Sequence, residues 1–537
     1  MSVPHGIDRS GAAGGSGAQG MTGSLNELAD PGADRILFWD DSAGGLDWMT
    51  PSNGTGISGT SISVKDFGAV GDGVTDDTAA IQAAIDAVPS IGGEVWFPAG
   101  AYLYSTLTVT QKHDITLTGA GGAILRKSSA TGYGLNLVGT SSVDYMLRFR
   151  LVNLILDASV TQTSGAFLRA KHQRNLIIDR VWLEDCYIGM QVDAGHIIEV
   201  SNFYIRNPIN RGFLLASPGE VSKAIGIFLS NGTVEGTSGN TTATGIRVDS
   251  GVSGLYLQNV DVTQGATGIY VVDGTPGDGA PEFLFMTNTS ADQTNAAGWQ
   301  FDGGKSIELH NCWGASSATD NGLVQNGATG VRVIGGRFQN NDHHGILIQS
   351  GSETHILGAL CAKNSVEGAN SFDGIHVAAN VSEFQLVGNR CGNITGFGSG
   401  TQGRGIQIAA GTSTNYAVVG NDLHGNGTEG FTNGATGSSF VVESNLPRLA
   451  QGSVASASSI TLPPVDFVQV TGTTNIDTIV ATDNRSRVVI LQFTDALTVN
   501  DGTDNILLAG SFTTTALDTL TLVCDGTNWL EISRSVN

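Results

Sequence analysis

The sequence predicts an all-β protein: a right-handed, single-stranded parallel β-helix with an N-terminal capping helix and a small C-terminal β-rich domain. Three observations predict it. Residues 134 to about 445 repeat a unit of glycine, apolar residue, any residue, apolar residue and turn, as in Gly245-Ile-Arg-Val, Gly345-Ile-Leu-Ile and Gly374-Ile-His-Val. The anchors are Gly134, Gly165, Gly189, Gly212, Gly245, Gly268, Gly298, Gly322, Gly345, Gly374, Gly405 and Gly430, spaced 23 to 33 residues apart. That period is too short for a four-stranded propeller blade of ~40 residues, and the long 3.6-residue stripes of helical repeats are absent. Many copies carry a second strand ending near Asn, such as Gly254-Leu-Tyr-Leu-Gln-Asn259.

Composition agrees. Among 537 residues, 75 are Gly and only 12 are Pro, and hydrophobic residues reach 40%. Charged residues are 14%, too few for a coiled coil or a charged disordered chain. The net charge of −23 repels phosphate backbones and anionic lipid, so neither nucleic acid nor membrane is an expected partner. Apolar runs fall far short of a bilayer span, and Met1 to Gly23 lacks the apolar core of a secretion signal. The five cysteines, Cys186, Cys312, Cys361, Cys391 and Cys524, are far apart in sequence and without CxxC pairs. They read as small buried side chains rather than disulfides or a zinc site.

Taken in order, residues 1–60 are Gly/Ser-rich. Asp34 to Trp48 reads as a hairpin around Ser-Ala-Gly-Gly, which needs a partner because a lone hairpin is marginal in water. Residues 61–445 form the β-helix. In its opening, Gly71-Asp72-Gly73 reads as a turn. Thr75 reads as an N-cap with Asp76 and Asp77 at the positive end of a helix, and Ile81, Ala84, Ile85 and Val88 as its apolar stripe. Pro89 and Gly92-Gly93 end that helix, and Val95 begins a strand. Residues 446–537 carry short alternating strands, among them Phe467–Val470, Arg487–Phe493 and Thr519–Cys524, the last turning through Asp525-Gly526 into Trp529–Ile532.

The run Asp66-Phe-Gly-Ala-Val-Gly-Asp-Gly-Val-Thr-Asp-Asp-Thr closely resembles the opening of pectate-lyase-like proteins of the pectin lyase superfold. That resemblance implies fold rather than chemistry, since the family spans lyases, hydrolases, epimerases and pure binders. Asp34 to Trp48 looks like a stretch near the start of phage tail proteins. Leu508-Ala-Gly-Ser-Phe with Leu522-Val-Cys-Asp-Gly-Thr-Asn-Trp529 is similar to the C-terminal domains of phage tail fibres and tailspikes. Together the three pieces resemble a bacteriophage tailspike or tail fibre protein. The resemblance implies a homotrimer in the virion tail, joined to a tail or baseplate protein by its N-terminus, with 446–537 for trimerisation or receptor binding. The partner that the resemblance implies is a polysaccharide at the outer surface of the bacterial host.

Stacked rungs place equivalent positions ~4.8 Å apart, so catalytic pairs are sought along columns. The column before the anchor reads Asn321, His344, Asp373, Arg404 and Glu429, flanked by Asp320, Asp342 and His343. Acids, histidines and an arginine on one edge suit acid–base chemistry and the holding of anionic sugars. Asp320, Asp342, His344 and Asp373 are the catalytic candidates; Tyr270, Trp313, His376, Arg404 and Glu429 are the substrate-binding ones. Asp320-Asn-Gly-Leu-Val-Gln-Asn326 resembles the double-Asp rung of polygalacturonase-type hydrolases, and His344-Gly-Ile-Leu-Ile-Gln-Ser-Gly351 their His-Gly rung. The match implies Asp320 as general acid and His344 as orienting histidine. It departs at Asn321 and Ala297, where that pattern has Asp, so Asp342 or Asp302 would have to supply the base. A second column, Asp249, Asp273 and Asp302, reads mainly as turn residues. Tyr270 is expected to face outward and Trp299 inward, with Trp313 open. For elimination, Arg247, Lys305, Arg332 and Arg337 are available, but no spacing selects one. No cofactor or metal is expected, and no EF-hand-type loop appears. The function expected is polysaccharide binding with cleavage by glycosidic hydrolysis; the alternative is a non-enzymatic receptor-binding or structural spike.

Overall fold

The computed structural model describes residues 36–40, 45–49 and 61–537, apart from 221–222, 275–276, 397, 447–451, 464, 483 and 486. Residues 1–58 and 59–537 form two units. In the first, Ile36–Asp40 and Gly45–Met49 pair antiparallel, Asp40 opposite Gly45, as the expected hairpin; the rest of residues 1–60 lies outside the described residues.

The second unit opens on strand Ser61–Ser63 and a 3-10 turn Val64–Phe67, closed by Gly68 in the left-handed region. The helix is Thr78–Ala87, capped by Asp77 rather than Thr75, and Asp72–Asp76 is extended. The acids of the motif explain the difference, because they hold the entry turn. Asp72 accepts from the Val74 and Thr75 amides and the Thr75 hydroxyl. Asp76 accepts the Thr78 N–H. Asp77 is buried and accepts the Val70 and Gly71 N–H groups at 2.6 and 2.9 Å. Ile81, Ala84, Ile85 and Val88 are buried as expected, and the helix covers the first rungs of the solenoid.

Parallel pairing then runs rung to rung through the chain. On a first face the register Leu323, Ile346, Ile375, Ile406, Phe431 follows the anchor glycines. A second face stacks Val252–Thr263, Glu282–Thr287, Lys305–His310 and Thr329–Ile334, and a third stacks Ser290–Asp292, Trp313–Ala315 and Arg337–Gln339. The expected β-solenoid is the fold. The Asn ending the second-face strand has a backbone reason: Asn231, Asn259, Asn288 and Asn311 sit at φ of 48° to 53°, and from Gly335 onward the column passes to glycine at similar φ. Asn tolerates that left-handed bend best among side-chain-bearing residues.

Inside, one apolar cluster runs from Val64 to Phe431. A buried amide ladder is set into it: Asn389, Asn421 and Asn445 donate in turn to Ile356, Leu386 and Val418 carbonyls, and each of the first two donates to the next Oδ1. All five cysteines are free and buried, and Cys361 pairs with Cys391 on the next rung. Trp299 is buried; its indole N–H donates to the Trp313 carbonyl at 2.9 Å.

The C-terminal strands enclose a second cluster, Ile460 to Trp529. Gly452–Ala455, Phe467–Thr471 and Val488–Phe493 still pair parallel, and only then do Thr519–Cys524 and Trp529–Ser535 form the expected antiparallel hairpin.

Candidate functional site

The pre-glycine column is real in space. Gly322 donates to the His344 carbonyl, Gly345 to Asp373, and Gly374 to Arg404, so Asn321, His344, Asp373, Arg404 and Glu429 stack on successive rungs. At its centre the Asp373 carboxylate is buried. Its Oδ2 lies 2.9 Å from His376 Nδ1 and its Oδ1 accepts the Arg404 N–H at 3.2 Å. Because a carboxylate only accepts, His376 carries its proton on Nδ1 and leaves Nε2 free to take one.

His376 reaches this point because the strand alternates: Ile375 and Val377 are buried in the core while His376 points out. From the preceding rung, His344 accepts the Asp373 N–H on Nδ1 at 2.8 Å, and its ring lies 4.5 Å from that of His376. Burial, then the nearby His376 and His343, hold the His344 imidazole down to about 2, so it is neutral. Phe372 stacks on His343 at 4.1 Å and meets His344 edge-on. Arg404 Nε bridges Glu429 Oε1 at 3.1 Å and Thr432 Oγ1 at 2.9 Å.

Four expected residues therefore converge: His344, Asp373, His376 and Arg404, with Glu429 at the arginine's far side. Asp320 stands one rung earlier, its carboxylate taken by the Asn321 amide. Asn321 in turn accepts the His344 N–H at 2.8 Å, and the His344 imidazole bonds onward to Asp373. Asp342 neighbours Glu367; burial and that charge raise its carboxyl above the usual range. Trp313 is exposed but lies in register with Arg337 on the third face, not beside the cluster on the first. Tyr270 faces outward on the first face, its hydroxyl donating to Asp302 at 2.8 Å. Asp302 is thus a bonding partner and not only a turn residue. Asp302 also pairs with Val272, so Asp273 falls one position outside the supposed Asp249–Asp302 column.

His376 and Phe372 gain their places from the tertiary structure. His376 was visible as the outward residue of its rung, whereas no sequence signal marks Phe372. His344, Asp373 and His376 offer ligand atoms within 4.8 Å of one another, close enough to share a divalent cation. An ion there would displace the His376 proton from Asp373. A cleft of about 500 Å³ lined by Phe384, Tyr416, Phe440 and Arg485 lies on the second face, away from this chemistry.

Residues 61–323 match the family model of rhamnogalacturonase A/epimerase, pectate lyase-like proteins. The β-helix is pectate lyase-like. The match stops short of His344, so it assigns no role to the cluster. A mannuronan C5-epimerase of Azotobacter vinelandii (AlgE5) is 40% identical over 113 residues, 19% of this chain and 11% of that protein. The tail spike protein of Shigella phage Sf6 is 43% identical over 83 residues, 14% of this chain and 13% of that one. The chain thus spans about a tenth of the length of these curated relatives. Among solved structures, bacteriophage CBA120 tailspike protein 3 superposes with a TM-score of 0.59 over 89% of this β-helix chain and 70% of that one; at 14% identity the likeness is one of fold.

Proposed function

We propose that this pectate lyase-like β-helix is a phage tailspike that binds a bacterial surface polysaccharide and cleaves it by glycosidic hydrolysis during adsorption. The observation that carries the chemistry is the Asp373–His376 contact beside Arg404, on an outward rung edge that a polymer can reach. In this reading His376 Nε2 takes a proton from the attacking water while Asp373 steadies its imidazolium. Asp342, raised by burial and by Glu367, gives a proton to the leaving oxygen. Arg404 and Glu429 hold the sugar. The likeness to a tail spike protein and to the CBA120 tailspike fold supports the biological setting. Exposed Phe228 and Tyr256, stacked at 4.8 Å on the second face, support self-association.

A second reading has one specific support. A histidine base beside a guanidinium is also what β-elimination from a uronate needs: His376 removes the proton and Arg404 neutralises the carboxylate. Both readings are tested by incubating the protein with surface polysaccharides from a bacterial panel. Shortened chains with new reducing ends and no ultraviolet absorbance support hydrolysis; absorbance of unsaturated uronate supports elimination. Retention without shortening overturns both and leaves a binding spike.

A further inference from the structure

A second polar cluster lies on the same face, N-terminal to the first. Arg247 stands directly before Tyr270 in the outward register, followed by Gln300, Val324, Leu347 and His376. Its guanidinium lies 5.1 Å from the Tyr270 ring centre and bonds Asp249 at 3.0 Å. On the rung before, Arg211 donates to Asn210. Its Nε is buried without a partner, and among the described residues no carboxylate lies within ion-pair distance of it. Burial, then the charge of Arg247, disfavour its protonated form. Two neighbouring guanidinium groups, of which Arg247 is paired with Asp249 and Arg211 with no carboxylate among the described residues, in a chain of net charge −23, make an arrangement that a bound anion would relieve.

We infer that Arg211, Arg247 and Tyr270 form a binding subsite for a carboxylate-bearing sugar unit of a polymer lying along the solenoid axis. The guanidinium groups take the carboxylate through charge-assisted, fork-like bonds and Tyr270 lines the floor. Tyr270 and His376 are four rungs apart, about 19 Å at ~4.8 Å per rung. Gln300, Val324 and Leu347 are the outward residues between them. The inference rests on the polysaccharide reading above and adds to it that the substrate is acidic and is held over several units.

The test is retention of sodium polymannuronate oligomers of increasing length by the full chain, with dextran as the neutral control. Wild-type protein is expected to bind long oligomers more tightly than short ones and to ignore dextran. Arg211→Ala/Arg247→Ala is expected to bind long oligomers about tenfold more weakly or worse and to lose the dependence on length. Arg211→Lys/Arg247→Lys, which keeps the charge, should recover part of it, and an unchanged thermal transition shows that both variants fold. A double-alanine variant that keeps the length dependence overturns the subsite, as does wild-type protein that retains no polymannuronate. The two proposals fail separately. Cleavage of a neutral polysaccharide with no polymannuronate retention removes the subsite and keeps the catalytic reading; arginine-dependent retention with no cleavage of any polymer does the reverse.

Discussion

Asp373 and His376 stand three residues apart and meet side chain to side chain, 2.9 Å between Oδ2 and Nδ1, while the other Asp373 oxygen accepts the Arg404 N–H. The pair fixes which nitrogen of His376 is free. Asp373→Asn replaces the acceptor with an amide that can donate to His376 Nδ1 and reverse its tautomer. The expected outcome is a fall in cleavage rate of about 10²–10⁴-fold with polymer binding retained, read by reducing-end release and by retention assay. A variant cleaving at the wild-type rate removes the dyad from the mechanism.

His344 gives a pH dependence of defined sign. Its folded pKa is lowered to about 2, below the ordinary imidazole value of 6.5, so the native state resists the proton that the unfolded chain accepts. Stability from this group is present above pH 6.5 and is lost as pH falls below it. His344→Gln should flatten the acid side of a denaturation-midpoint profile between about pH 6.5 and 4; an unchanged slope places the acid sensitivity elsewhere.

Lys127 predicts the opposite end of the profile. It is fully buried, and its ammonium donates to the Ser129 and Thr131 carbonyls and to Gln162, with no carboxylate among these partners. Burial lowers its pKa to about 8 from 10.5. Between those values the unfolded chain holds the proton and the folded chain does not, so stability should rise as pH climbs from 8 toward 10. Lys127→Met should abolish that rise, measured as the urea midpoint against pH.

The amide ladder is the next test. Asn421 donates to the Leu386 carbonyl and Asn445 and accepts the Asn389 backbone and side-chain N–H groups, all within 2.8–3.0 Å. Asn421→Ala orphans several buried groups and should cost about 2–5 kcal/mol by chemical denaturation. A loss under 1 kcal/mol would mean that water satisfies the ladder.

At the bend after the second-face strand, Asn259 has φ of 53° and Gly388 φ of 65°. Asn259→Gly should change stability by less than about 1 kcal/mol, whereas Gly388→Val should cost about 1–2 kcal/mol or more, since a β-branched residue resists that region. Equal effects in thermal unfolding would show that the bend is not conformationally selective.

The repeat, the rung parity and the bends were legible in the sequence because each is a local rule. Gly anchors admit close rung stacking, alternation sends Ile375 and Val377 inward and His376 outward, and Asn or Gly occupies the left-handed corners. The glycine anchors even aligned Asn321, His344, Asp373, Arg404 and Glu429 correctly. What the tertiary structure decided was which of these groups bond. His344 lies 29 residues from Asp373 and joins it only because parallel stacking lays one rung on the next. Variable loops between anchors let Asp273 slip out of its expected column and carried Trp313 to another face. The helix cap moved to Asp77 because Asp72, Asp76 and Asp77 were drawn into the entry turn by backbone amides that a linear reading leaves unassigned. Local periodicity determines a solenoid; the choice of hydrogen-bond partner depends on neighbours one rung away, set by loop lengths that no period encodes.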